Sequence, residues 1–285
     1  MTAPVPDLVS AEWLAAHLES AGIAILDASH HLPAAARDAM AEFATGHIPG
    51  ARFLALASLI DEGSSAPAAL PRPDQLAARL GLLGVEPGDT IILYDDSAIR
   101  TSARAWFMLH ACGWDNVAIL DGGLGKWRAE GRALELGATH PAPVAPAHLA
   151  PARGVRTKAQ MLANLESRAE QVLDARSADR VFGSGTDPVH GGPNGRIPGA
   201  RNLPFTDVLN ADGTYKSPAD LRAALTAAGI DLNRPITTTC GSGVTASVLL
   251  FALHLIGVKD AALYDGSWSE WSADPATPKA QGPDA

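Results

Sequence analysis

The chain has 285 residues, enough for one large domain or two of ordinary size, and 47% apolar against 19% charged residues describe a globular protein with a substantial core. A net charge of −9, from 22 basic and 31 acidic side chains, argues against nucleic acid or an anionic membrane as the main partner. Two cysteines, Cys112 and Cys240, are too few for a disulfide framework or an all-cysteine zinc site and suit a reducing cytosol.

Along the chain, residues 23–26 read as a short buried strand, 75–83 as a helix, 90–94 as a strand, 101–111 as a helix and 117–120 as a strand. Residues 138–153, rich in Pro and Ala, read as a semi-extended linker. Beyond it the order resumes: strand 171–173, helix 219–228, strand 236–239, helix 245–255 and strand 261–264. Residues 275–285 are expected to form a frayed tail. The first twenty residues lack a continuous apolar stretch and no run approaches a membrane span, so the expected location is cytoplasmic.

The second series repeats the first. Ile25-Leu26-Asp27-Ala28 recurs as Val172-Leu173-Asp174-Ala175, and Gly46-His47-Ile48-Pro49-Gly50-Ala51-Arg52 as Gly195-Arg196-Ile197-Pro198-Gly199-Ala200-Arg201. Pro73-Asp74-Gln75-Leu76 returns as Pro218-Ala219-Asp220-Leu221, and Leu120-Asp121-Gly122-Gly123 with Trp127 as Tyr264-Asp265-Gly266-Ser267 with Trp271. Four matches in one order, offset by 144 to 149 residues, define a duplicated domain, because a solenoid has a much shorter period. The expected organisation is a domain at 1–137, a linker at 138–153, a second domain at 154–274 and a tail. Strands alternating with helices imply α/β domains, each with a central parallel sheet and helices on both faces.

The chemistry concentrates at Cys240, which stands between a strand and a helix in Thr239-Cys240-Gly241-Ser242-Gly243-Val244-Thr245. A cysteine at the carboxyl end of a parallel strand lies where open α/β sheets bind ligands. Gly241 and Gly243 let the backbone curl into a nest of inward N–H groups over residues 241–245, and the helix adds its positive end. Both stabilise a thiolate or persulfide sulfur. No charged side chain lies between Pro235 and Lys259, so backbone donors are expected to carry this stabilisation. Cys112, ending an apolar helix, reads as core. The histidines, His47 and His190 among them, form no metal-ligand spacing, so no metal is expected. His47 is expected to help fold its own turn. The pair Asp95-Asp96 reads as an exposed strand end.

Cys240-Gly-Ser-Gly-Val-Thr-Ala246, the two Ile-Pro-Gly-Ala segments and Tyr264-Asp-Gly-Ser-Trp-Ser-Glu-Trp271 together resemble the tandem-domain rhodanese superfamily, over roughly residues 8–274. Gly241 and Ser242 stand where thiosulfate-preferring members usually carry basic residues, which points to the 3-mercaptopyruvate branch. The resemblance implies two rhodanese-like domains, the first inactive and the second catalytic. Counting back 25 residues from Asp121 and Asp265 aligns Asp96 with Cys240. The implied activity is transfer of sulfur from 3-mercaptopyruvate through a Cys240 persulfide to a thiol, a thioredoxin-like protein or cyanide, releasing pyruvate. Thiosulfate is the alternative donor. No dissociable cofactor is implied, and a monomer is the expected state.

Residue by residue, the resemblance gives Arg180 as the substrate-carboxylate ligand and Arg176 as a structural arginine. The family's second substrate arginine falls near Val189-His190 and is missing; Arg196, close in sequence, is the expected substitute. Ser242 matches the serine of a proposed family relay, but Ala57 and Ala68 stand where its aspartate and histidine belong, leaving that hydroxyl without a base. Two other readings compete. Phosphatases of this fold need arginine six residues after the cysteine, where this chain has Ala246. A non-catalytic binding module would account for the missing relay but not for the retained Cys240 and glycine loop.

Overall fold

The structure is a computed structural model that describes residues 5–64, 66 and 68–282. The chain divides into two compact units, the first formed by residues 5–60, 71–153 and 211–214, the second by the described residues of 61–70, 154–210 and 215–282. In the first unit, β1 (Leu8–Val9), α1 (Ala11–Ala16), β2 (Ile23–Asp27), α2 (Ala39–Thr45) and β3 (Arg52–Phe53) come first. They are followed by α3 (Pro73–Leu82), β4 (Thr90–Tyr94), α4 (Thr101–Ala111), β5 (Val117–Leu120) and α5 (Gly123–Ala129). The second unit contains β6 (Val155–Arg156), α6 (Lys158–Ser167), β7 (Gln171–Asp174), α7 (Ala178–Phe182) and β8 (Arg201–Asn202). It continues with α8 (Pro218–Ala227), β9 (Ile236–Thr239), α9 (Val244–Leu255), β10 (Ala261–Tyr264) and α10 (Ser267–Ala273).

Each unit holds one parallel sheet, ordered β1-β5-β4-β2-β3 in the first and β6-β10-β9-β7-β8 in the second. Every residue of β5 and of β9 is buried, so both faces of each sheet are covered, as parallel sheets require. The apolar runs of the sequence form the central strands. The two-residue edge strands and the short helices α1, α2, α5, α7 and α10 carry too little periodicity to be read in advance. Trp127 and Trp271, the repeat partners, are both fully buried, each in its own unit's core. His47 folds its turn as expected, stacked on Phe43 with Nδ1 2.8 Å from the Phe43 carbonyl. Cys112 is buried, and burial pushes its thiol pKa up.

Sheet register corrects one alignment. Asp27 pairs with Tyr94 in the first unit and Asp174 with Thr239 in the second, so the residue that matches Cys240 is Asp95, not Asp96. Bonds from the following helix agree: Leu124 N–H donates to the Asp95 carbonyl at 3.0 Å, and Trp268 N–H to the Cys240 carbonyl at 2.9 Å. The first unit carries one extra residue between its strand end and Asp121, which a count from Asp121 cannot detect.

Two segments expected to be loose are packed. Residues 138–153 belong to the first unit, where Val144 N–H donates to the Gly81 carbonyl, Ala150 to Cys112 and Arg153 to Ala111. The expected tail runs back over the second unit: Arg196 and Ala280 exchange backbone bonds, Trp271 Nε1 donates to the Pro278 carbonyl and Thr277 is buried. Pro and Ala lower the entropy lost on ordering, so such segments pack once a surface with spare hydrogen-bonding groups is offered.

Candidate active site

Cys240 ends β9 and is buried, with 2% of its surface exposed. The loop after it is anchored from α10. Trp268 N–H donates to the Cys240 carbonyl, and Ser269 gives both its N–H (2.9 Å) and its hydroxyl (2.7 Å) to the Gly241 carbonyl. A trans peptide points its N–H opposite to its carbonyl, so these anchors turn the Gly241 and Ser242 N–H groups into the loop's concave side. Among the described residues, the N–H groups of Gly241, Ser242 and Gly243 meet no protein acceptor. Gly243 caps α9 with φ 79°, a left-handed conformation that favours glycine, and Val244 and Thr245 begin the helix. The Cys240 N–H is held apart from this set by Ser267 Oγ at 3.2 Å. Ser267, at φ 50°, in turn donates to the Tyr264 carbonyl.

The first unit shows what such a loop accepts. There Asp95 is buried, and its carboxylate takes N–H bonds from Ser97 (2.8 Å) and Ser102 (3.0 Å); burial pushes its pKa up. It is a buried, hydrogen-bonded carboxyl group rather than an exposed strand end. Asp96 is the more exposed partner, bridging Arg37 and Arg128. In the second unit the same strand position carries a sulfur, and the loop amides remain available for an anion.

Beside the loop runs a chain of charges. Arg176 is completely buried. It forks onto Asp174, donates to the Gly195 carbonyl and lies 4.8 Å from the centre of the Trp268 ring. Burial opposes its charge, but Asp174 and Asp187 together raise its pKa, with a smaller contribution from Cys240. Arg176 therefore serves as a structural clamp and adds a fixed positive charge that Cys240 feels, so the backbone is not the sole source of positive potential. Asp187 is buried beside it. Its carboxylate accepts from Arg180 Nε (3.1 Å) and Nη2 (2.7 Å) and from the N–H groups of Val189 (2.8 Å) and His190 (3.2 Å). Although burial opposes ionisation, those bonds hold its pKa below the usual carboxylate value.

Arg180, expected to grip a carboxylate with its free fork, has most of that fork engaged. Nε and Nη2 face Asp187, and Nη2 also donates to His190 Nδ1 at 3.0 Å. Nη1 is the nitrogen left for a ligand. Arg196 lies elsewhere: its buried guanidinium rests 4.9 Å from the centre of the Phe182 ring and donates to the Gly282 carbonyl. It secures the C-terminal segment and is withdrawn as a substitute substrate arginine. Nearness in sequence to Ile197-Pro198-Gly199 gave it a place, whereas its side chain points along the turn toward the chain's end.

His190 is the residue that sequence reasoning missed. Its Nε2 stands 3.4 Å from Ser242 Oγ, so the Ser242 hydroxyl, thought to lack an imidazole, faces one from its own unit. The ring also lies against Gly241, where an added Cβ would overlap it. The missing arginine near Val189-His190 was the available signal, since it marked His190 as the residue in a substrate position. Among the described residues no group of three or more His, Cys, Asp or Glu side chains could hold a metal ion.

Comparison with known proteins gives the same frame. The family described as Rhodanese-like domain matches residues 10–130 and again 157–274. The 3-mercaptopyruvate sulfurtransferase of Homo sapiens is 40% identical over 271 residues, covering 93% of this chain and 91% of the relative. That of Escherichia coli K12 is 39% identical over 267 residues, covering 93% and 94%. The crystal structure of SseA from Escherichia coli, described with the rhodanese fold and mechanism of 3-mercaptopyruvate sulfotransferases, superposes with a TM-score of 0.83. It is 36% identical, and the match covers 93% of this chain and all of that one.

Proposed function

Since the chain belongs to the rhodanese-like domain family through both of its units, we propose that it is a sulfurtransferase carrying sulfur as a persulfide on Cys240. One observation carries this reading. A buried cysteine closes a parallel strand, and among the described residues the three amides that follow it meet no protein acceptor. Such a pocket stabilises an anionic sulfur. The donor is 3-mercaptopyruvate, the substrate that names the relatives. Its carboxylate meets Arg180 Nη1, and an uncharged Gly241-Ser242 pair leaves room for a 2-oxo acid.

In the first step the Cys240 thiolate attacks the donor sulfur. A sulfur–sulfur bond forms, the sulfur–carbon bond breaks, and its electron pair leaves on carbon as the enolate of pyruvate. The Ser242 hydroxyl gives its proton to that enolate and takes one from the outer sulfur. The persulfide anion then rests on the amides of Gly241, Ser242 and Gly243, with Val244 and Thr245 presenting the helix's positive end. In the second step a thiolate, small or on a thioredoxin-like protein, or cyanide in an assay, attacks the outer sulfur and restores Cys240. Atoms and electrons balance with no dissociable cofactor and no metal. Both cysteines are free, which fits a reducing cytoplasm, and no helix among the described residues is long and apolar enough to cross a membrane. The residues assigned to the reaction all belong to one chain, and a monomer is the proposed state.

Intact mass after incubation with 3-mercaptopyruvate tests the reading. The expected result is a gain of one sulfur atom, absent in Cys240→Ser, with stoichiometric pyruvate. Faster loading from thiosulfate would reassign the donor, and no loading from either would reject sulfur transfer.

A further inference from the structure

Arg180 and Ser242 share no hydrogen bond; the His190 ring joins them. A guanidinium can only donate, so the 3.0 Å contact with Arg180 Nη2 makes His190 Nδ1 an acceptor and places the ring's proton on Nε2. The group 3.4 Å from that nitrogen is Ser242 Oγ, which must then accept. With its oxygen engaged, the Ser242 hydroxyl keeps its own hydrogen free to donate. We propose that His190 is a positioning residue for Ser242, donating from Nε2 and directing the serine hydroxyl as a proton donor toward the leaving enolate. This rests on the sulfurtransferase reading above.

Three further observations fit. Asp187 accepts the N–H groups of both Val189 and His190, so the backbone that carries the ring is fixed by the carboxylate that also aligns Arg180. Gly241 is shaped to the ring: the three nearest atoms to an added Cβ all belong to His190, with Nδ1 at 2.6 Å. Burial and the neighbouring Arg180 lower the His190 pKa, which keeps the ring in the neutral form this arrangement needs. The charged groups that face it are Arg180 and Asp187, with Arg176 behind them. A contact of 3.4 Å is long, as such contacts often are before substrate closes the site.

The arrangement also assigns Arg180 a double task. A carboxylate arriving at Nη1 draws charge toward that nitrogen, while Nη2 holds the imidazole. Substrate recognition and serine orientation thus share one guanidinium.

The test is a double-mutant cycle read by single-turnover persulfide formation from 3-mercaptopyruvate. His190→Ala should slow loading about tenfold or more, as lost orientation does. His190→Gln, whose amide nitrogen falls near the place of Nε2, should recover to within about threefold of the parent, since it retains a donor. In a Ser242→Ala background, His190→Ala should change the rate less than about twofold, because the group it acts through is gone. Independent, multiplicative losses in the cycle would overturn the positioning role, and so would His190→Gln as slow as His190→Ala. If the parent protein forms no persulfide at all, it is the sulfurtransferase reading that fails. If the parent loads normally and the cycle is additive, only the role of His190 fails.

Discussion

A Cβ added to Gly241 meets no atom before the His190 ring, so the glycine and the histidine answer to each other. Gly241→Ala should therefore displace the imidazole and slow persulfide loading, while Gly241→Ala in a His190→Ala background should be no slower than His190→Ala alone. Loading rates of the three variants decide it, and a further loss in the double variant would show that Gly241 is needed for some other reason. The pH profile follows from the same contacts. The ring acts in its neutral form, and burial with Arg180 lowers its pKa below the ordinary 6.5. The ratio of parent to His190→Gln loading rates, in which the ionisation of Cys240 cancels, should thus stay constant as pH falls through the usual histidine range and decline only below it. His190→Gln should lack that acid limb, a comparison made between about pH 5 and 8. The sign for stability is the same: a histidine with a depressed folded pKa favours folding above its unfolded pKa and loses that contribution as pH falls through the folded value. The contact itself could not be read from the chain, where His190 and Ser242 lie 52 residues apart, although the place of the missing arginine pointed to His190.

At the scale of elements, the two copies solve one problem differently. β2 and β7 both end in a buried aspartate, Asp27 and Asp174. Asp174 is forked by Arg176, but the residue matching Arg176 in the first unit is Ser29, which gives Asp27 an N–H bond at 2.8 Å and no positive charge. Burial accordingly pushes Asp27 up to about 6. Its folded pKa lies above its unfolded one, so its contribution to stability is complete below about 4 and is lost as pH rises through about 6. Asp27→Asn should stabilise the protein by about 1–3 kcal/mol at pH above 7, with the gain shrinking as pH falls toward 4. Denaturant unfolding at several pH values checks this, and an equal gain at every pH would refute it. The element pattern itself was legible, since β2, β4, β5 and β10 are mainly apolar runs, and the β-branched Ile236–Thr239 of β9 is set off by Pro235 and the glycine loop. The extra residue after β4 was hidden, because only hydrogen-bond register reveals which aspartate faces the loop.

At the scale of the molecule, segments that look like connectors complete the units. The chain beyond α10 supplies Ala280 to Arg196, Gly282 to Phe182 and Pro278 to Trp271. Deleting residues 275–285 should expose the buried Arg196 and Trp271 and destabilise the protein by about 2–4 kcal/mol, the scale of several lost hydrogen bonds. Thermal melting of the truncated and full chains reads this out; equal melting temperatures would mean that the segment packs without contributing. Persulfide loading in the truncated chain at low temperature should persist, because no residue of that segment belongs to the Cys240 loop.

The sequence by itself determined the duplication, the parallel α/β units and the place of Cys240 in a strand–loop–helix turn. Those features rest on local signals: apolar period, glycine spacing and a repeated motif order. Only the tertiary structure decided which side chains gather around the sulfur. It set Asp95 rather than Asp96 against the first loop, sent Arg196 to the C-terminal segment, filled Arg180's fork with Asp187 and brought His190 to Ser242. Side-chain direction depends on backbone turns and buried partners far away in the chain, and a one-dimensional pattern does not carry that information.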